Sequence, residues 1–83
     1  MINIYGKPGC VYCEAAKALC EKRNLKYTYF MLDVDFNRNE LLEMFPQATS
    51  YPQIKINGTS IGGYDQLGPY LEETNYNGTG WTL

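Results

Sequence analysis

Cys10-Val11-Tyr12-Cys13 stands between a short apolar run, Ile2 to Tyr5, and a segment of helical periodicity. That placement constrains both the fold and the chemistry. A strand that ends in a turn (Gly6 to Gly9, holding Lys7 and Pro8) and leads straight into a helix sets the first cysteine at the helix N-terminus. Unpaired backbone N–H groups and the positive end of the helix dipole favour a thiolate there. A fall in thiol pKa from about 8.5 to roughly 5 takes the ionised share at pH 7 from a few per cent to nearly all. Cys13 follows one helical turn later, within disulfide reach. The pair reads as a redox-active dithiol in which Cys10 attacks and Cys13 completes the reaction.

Composition removes the main competitors. Eighty-three residues, 45% of them apolar, are enough for one core, so residues 1–83 are expected to form one domain. Seven basic against nine acidic residues leave a net charge of -2, which argues against nucleic acid and against a polybasic membrane contact. No apolar run is long enough to span a bilayer. Met1-Ile2-Asn3-Ile4 lacks the basic start and apolar stretch of a signal peptide, so a cytoplasmic location is expected. Three cysteines and no histidine do not suit a secreted disulfide scaffold, a structural zinc site or a Cys–His or Ser–His nucleophile pair. No metal site is expected. Activation of Cys10 is left to the backbone, a lysine, or both.

From Tyr12 onward, Tyr12, Ala15, Ala16 and Leu19 recur at helical spacing opposite Glu14, Lys17, Glu21 and Lys22, which predicts a helix with that apolar face. Asn24 is its predicted stop. Leu25 to Val34, rich in aromatics, predicts a second strand. Asn37 with Glu40 three residues on resembles a capping box and opens a helix through Leu41, Leu42, Met44 and Phe45, closed by Pro46. Gln53 to Ile56 alternates as a strand, Asn57-Gly58 is a two-residue hairpin turn, and Thr59 to Ile61 returns. Gly62-Gly63 breaks that strand, and Asp65 is the predicted N-cap of a last helix through Leu67, Tyr70 and Leu71. The order βαβαββα, with a right-handed crossover between parallel strands and an antiparallel hairpin, implies an α/β thioredoxin-like fold. Its expected form is a four-stranded mixed sheet flanked by about three helices.

Lys7, Cys10-Val11-Tyr12-Cys13, Tyr51-Pro52 and Gly62-Gly63-Tyr64-Asp65, in that order, resemble a dithiol glutaredoxin, especially the short phage and bacterial ones. The resemblance covers roughly residues 1 to 73. It implies a glutathione-dependent thiol–disulfide oxidoreductase that reduces protein disulfides and glutathione mixed disulfides, with no permanently bound cofactor and glutathione as reducing co-substrate. By that resemblance Cys10 is the nucleophile and Cys13 the resolving cysteine. Lys7 pairs with a glutathione carboxylate, and Tyr12 walls the active thiol. Pro52 is in cis against the cysteine pair, and Tyr51 offers its backbone to the cysteinyl part of the substrate. Gly63, Tyr64 and Asp65 grip the γ-glutamyl end, with a helix N-terminus receiving the carboxylate and an aspartate the amine.

The resemblance also implies disulfide-bearing protein clients, with ribonucleotide reductase a candidate, and a monomer. An iron–sulfur carrier holding a [2Fe–2S] cluster through Cys10 and glutathione, and a redoxin recycled by thioredoxin reductase, are the competing readings. Val11 in place of the family's frequent proline adds some weight to the first, but the monothiol motif usual in dedicated carriers is absent; the Gly62 to Asp65 loop argues against the second. Tyr51 is bulkier than the family's usual valine, and Thr49 stands where a basic residue is frequent. Arg38 is a further candidate for the glycyl carboxylate. Cys20, two turns beyond Cys13, reads as a small core residue. Gly68-Pro69 predicts a kink or restart in the last helix. Asn57-Gly58-Thr59 and Asn77-Gly78-Thr79 match the glycosylation pattern, and neither is expected to be modified in a chain without a secretion signal. The polar tail from Asn75 is expected to be loosely held.

Overall fold

Two apolar clusters, one on each face of a four-stranded sheet, organise the computed structural model, which describes residues 1–74. The tail and its Asn77-Gly78-Thr79 pattern lie outside the described residues. The elements are β1 (Ile2–Gly6), α1 (Val11–Lys22), β2 (Tyr27–Met31), α2 (Arg38–Met44), β3 (Gln53–Ile56), β4 (Thr59–Gly62) and α3 (Tyr64–Thr74). Spatial order is β2-β1-β3-β4. β1 runs parallel to β2 and antiparallel to β3, and β3 pairs antiparallel with β4. The mixed sheet and the element order are those expected from the sequence.

Strand periodicity divides the core. Ile2, Ile4, Ile54 and Ile56 point to one face and pack with Ala16 and Cys20 of α1, Leu25, and Leu67 and Leu71 of α3. Tyr5 points to the other face and joins Phe36, Leu41 and Phe45 under α2. Its ring stacks on Phe30, its register partner in β2, with centroids 4.8 Å apart. The central strand thus has both faces covered, and its C-terminal end emerges between α1 and α2. The dithiol lies just beyond that end.

Local chemistry explains the boundaries. The capping box of α2 is complete: Asn37 Oδ1 accepts the Glu40 N–H and Glu40 Oε1 accepts the Asn37 N–H, both at 2.8 Å. Asn57 and Gly58, at φ 53° and 83°, make the left-handed pair that a tight hairpin needs. β2 stops at Met31, short of the predicted Val34, because Asp35 Oδ2 accepts the Met31 N–H at 2.8 Å and Asp33 turns to φ 65°.

Three further expectations are corrected. The buried face of α1 is Cys13, Ala16 and Cys20; of the expected Tyr12, Ala15, Ala16 and Leu19 only Ala16 is fully buried, Ala15 and Leu19 are half-buried, and Tyr12 is 60% exposed. The two cysteines serve as small apolar core residues and turn the helix by about one position (~100°). α3 begins at Tyr64, so Asp65 lies inside the first turn instead of capping it, and the Gln66 N–H reaches the Gly63 carbonyl at 3.1 Å. α3 also runs through Pro69 without a restart. Proline there deletes one N–H, but Leu67 and Leu71, 0% and 1% exposed, anchor the helix on both sides of it. Cys20 is the core residue expected, with no exposed surface.

Candidate active site

Cys10 is the N-cap of α1, in extended conformation at φ -98° and ψ 109°. Its Sγ accepts the Cys13 backbone N–H at 3.1 Å, as a serine or aspartate oxygen does at other helix starts. That donor favours negative charge on Cys10 whenever the sulfur is free. Cys10 and Cys13 are joined as a disulfide with Cα atoms 5.2 Å apart. The two cysteines differ in access: Cys10 retains 8% exposure and lines a cavity, whereas Cys13 has none. An incoming group can therefore meet only Cys10.

Two adjoining cavities meet at Tyr12, Ser50 and Tyr51, and the first of them opens beside Cys10. One, about 430 Å³, is bounded by Lys7, Cys10, Tyr12, Arg38, Thr49 and Tyr51. The other, about 350 Å³, is bounded by Tyr12, Tyr51, Pro52, Gly63, Tyr64 and Asp65. Tyr12, Ser50 and Tyr51 belong to both, so the two form one cleft whose halves meet at these residues, with Cys10 in the wall of the first. Every site residue singled out in the sequence lines this cleft except Cys13, which lies buried behind Cys10. Arg38, the additional candidate, lines it too.

The walls are set by close packing. The Tyr51-Pro52 bond is cis, as the resemblance implies, and Pro52 is buried. A Cβ on Gly63 would stand 3.3 Å from the Pro52 carbonyl oxygen, so a glycine lets the start of α3 approach that loop. Tyr12 stacks on Tyr64 across the cleft, ring centroids 5.8 Å apart. The Lys7 ammonium lies 5.6 Å from the centre of the Tyr51 ring. Charge is separated along the cleft: Lys7 and Arg38 stand in the first cavity, Asp65 in the second beside the α3 N-terminus.

Several residues here escape a reading of the sequence. Ser50 lines both cavities and Gln66 the second, and neither belongs to a recognisable motif. Gly6 is another: a Cβ there would stand 2.1 Å from the Tyr29 hydroxyl and 2.9 Å from Cys13 Sγ. Its neighbour Tyr29 comes from the adjacent strand, so no local pattern announces the contact. The third cysteine is inert by comparison. Burial, assisted by the Glu21 carboxylate, pushes the Cys20 thiol up to about 11.

A strand, a helix-capping cysteine and its buried partner facing an open cleft define a thiol–disulfide oxidoreductase. Residues 2–61 match the family model described as Glutaredoxin. The chain is 33% identical over 66 residues to glutaredoxin 3 of Escherichia coli, covering 80% of each protein. It is also 35% identical over 70 residues to hybrid peroxiredoxin hyPrx5 of Haemophilus influenzae, covering 84% of this chain but only 29% of that protein. Among solved structures, reduced glutaredoxin of Escherichia coli superposes with a TM-score of 0.76 at 27% identity, covering 89% of this chain and 95% of that one. The buckwheat glutaredoxin–glutathione complex superposes with a TM-score of 0.73 at 26% identity, covering 87% of this chain and 68% of that one. The chain belongs to the glutaredoxin family, with a thioredoxin-like fold and a dithiol centre.

Proposed function

We propose that the protein reduces glutathione mixed disulfides and protein disulfides with glutathione as reducing co-substrate, Cys10 being the nucleophile and Cys13 the resolving thiol. The observation that carries this reading is the position of Cys10 Sγ. It takes the Cys13 N–H at 3.1 Å, and Cys10 lines the cationic half, with Lys7 and Arg38, of a cleft whose other half carries Asp65.

A tripeptide bearing a carboxylate at one end and an amine and carboxylate at the other suits that polarity. Its glycyl carboxylate would meet Lys7 and Arg38, and its γ-glutamyl amine would meet Asp65. The γ-glutamyl carboxylate would take the N–H groups at Gly63 and Tyr64. Tyr51, held by the cis bond to Pro52, would pair its backbone with the cysteinyl residue, and Tyr12 would flank the sulfur. The solved complex of the buckwheat relative with glutathione supports this choice of ligand.

In the forward reaction the Cys10 thiolate attacks one sulfur of a client disulfide, and the other sulfur leaves as a thiol after taking a proton. Cys13 then attacks Cys10, closing the internal disulfide and releasing the second client thiol. Two glutathiones reopen the disulfide and are oxidised to glutathione disulfide. Clients are disulfide-bearing proteins, and the family resemblance suggests ribonucleotide reductase as one to assay.

Cys10→Ser and Cys13→Ser separate the roles. Cys10→Ser is expected to abolish turnover of both substrate classes. Cys13→Ser is expected to keep glutathione exchange and lose dithiol reduction of proteins. Equal loss in the two variants would overturn the assignment.

A further inference from the structure

Tyr29 stands on β2 with its ring against the larger core cluster and its hydroxyl reaching the end of β1. The hydroxyl oxygen is sealed from solvent and has no hydrogen-bond partner among the described residues. A buried polar atom in that condition calls for a specific reason. The space around it supplies one. The hydroxyl lies 2.1 Å, and Cys13 Sγ 2.9 Å, from the point where a Cβ on Gly6 would sit. The two atoms are therefore no farther apart than those two lengths laid end to end. They share a niche that exists because position 6 is glycine.

In the structure Cys13 is oxidised, and a disulfide sulfur is a poor hydrogen-bond acceptor. Reduction breaks the S–S bond and leaves Cys13 as a thiol or thiolate, each able to engage a hydroxyl. We propose that the Tyr29 hydroxyl becomes the hydrogen-bond partner of the Cys13 sulfur in the reduced protein and is a positioning residue for the resolving step. This rests on the reading of Cys13 as the resolving thiol.

Two consequences follow from one bond. It exists only in the dithiol state, so it favours that state and raises the reduction potential. It also donates to sulfur, so it favours the Cys13 thiolate as that atom attacks Cys10. In that attack the Cys13–Cys10 bond forms, the Cys10–client bond breaks, and the departing sulfur carries off the electron pair and ends protonated. Tyr29 keeps its own proton. Burial pushes the phenol above its usual 10.0; the Lys17 ammonium, 4.2 Å from the ring centre, opposes that and Glu14 adds to it. Lys17 and Glu14 pair with each other at 2.9 Å on α1, while β1 presents Gly6, which carries no charge.

Tyr29→Phe deletes the oxygen and keeps the ring. Equilibration with glutathione redox buffers is expected to show the variant shifted about tenfold toward the disulfide, equivalent to about 30 mV lower potential. In a Cys10→Ser background, the Cys13 Cβ NMR chemical shift followed against pH is expected to show Cys13 ionising at higher pH when Tyr29 is replaced. An unchanged exchange constant, or a Cys13 titration indifferent to the hydroxyl, would overturn the proposal. The titration needs no turnover, so it reports on Tyr29 even if Cys13→Ser were to retain protein reduction and remove the resolving role.

Discussion

Tyr12, the second residue of α1, stacks on Tyr64, the first residue of α3, with ring planes 29° apart, and so joins two helices across the mouth of the cleft. Tyr12 is 60% exposed, so the contact adds little to the stability of the fold. Its value lies in shaping the space beside Cys10. An aromatic pair is worth about 0.5–1.5 kcal/mol beyond the area it buries. Tyr64→Ala should therefore raise KM for a glutathione mixed disulfide about three- to tenfold with kcat little changed. Tyr12→Ala should do the same, and the double variant should fall short of the product of the two. Steady-state kinetics on the four proteins check this; fully multiplicative effects would mean the rings act independently.

The ends of the cleft carry opposite charge, with Lys7 in one cavity and Asp65 in the other. Both side chains are solvent-facing, so each contact should contribute about 1 kcal/mol, or about fivefold in affinity. Lys7→Gln and Asp65→Asn should each raise KM for glutathione substrates by that factor. Added salt should narrow the difference from the parent as screening weakens the charged contacts. A variant whose deficit persists unchanged at high salt would point to a lost packing role instead.

What the sequence disclosed, and what it did not, divides along the range of the interactions. The Asn37–Glu40 box and the Asn57-Gly58 turn are legible because each is satisfied within a few residues. The dithiol is legible because a strand, a turn and a helix follow one another in the chain. The face of α1 is not: Tyr12 looks like a core residue by periodicity, yet the cysteines take the core and Tyr12 goes to the cleft. Pro69 looks like a break, but tertiary burial of Leu67 and Leu71 overrides the local preference. Gly6 gives no local sign of its importance, because the atoms that crowd it belong to β2 and α1.

That crowding is testable as stability. A Cβ at position 6 would lie 2.1 Å from the Tyr29 oxygen and 2.7 Å from its Cζ, so Gly6→Ala forces the ring or the strand to shift. Overpacking of this kind costs about 1–3 kcal/mol. Denaturant unfolding of the oxidised protein should show a loss of that size. Combining Gly6→Ala with Tyr29→Leu, which shortens the intruding side chain, should cost less than the two single changes added together. Simple additivity in this cycle would show that Gly6 is required for some reason other than Tyr29.

Cys20 provides a pH test that leaves the dithiol untouched. Its thiol is fully buried and raised from 9.0 to about 11, chiefly by burial and then by Glu21. Between those values the unfolded chain gives up the Cys20 proton while the folded chain holds it. Folding stability from this group is therefore complete below about pH 9, declines through the window, and is exhausted above about pH 11. A shift of about two units corresponds to about 2–3 kcal/mol. In the oxidised protein Cys10 and Cys13 cannot titrate, which isolates the effect. Tyr27, raised to about 12 by its hydrogen bond to Glu21, titrates at the upper edge, so comparison with Cys20→Ala is needed to cancel it. Cys20→Ala should be less stable than the parent near neutrality, because it leaves a small cavity. The gap should close, or reverse, by about 2–3 kcal/mol as pH rises from about 8 to about 11. A gap that stays constant across that range would show that Cys20 ionises in the folded state as readily as in the unfolded one.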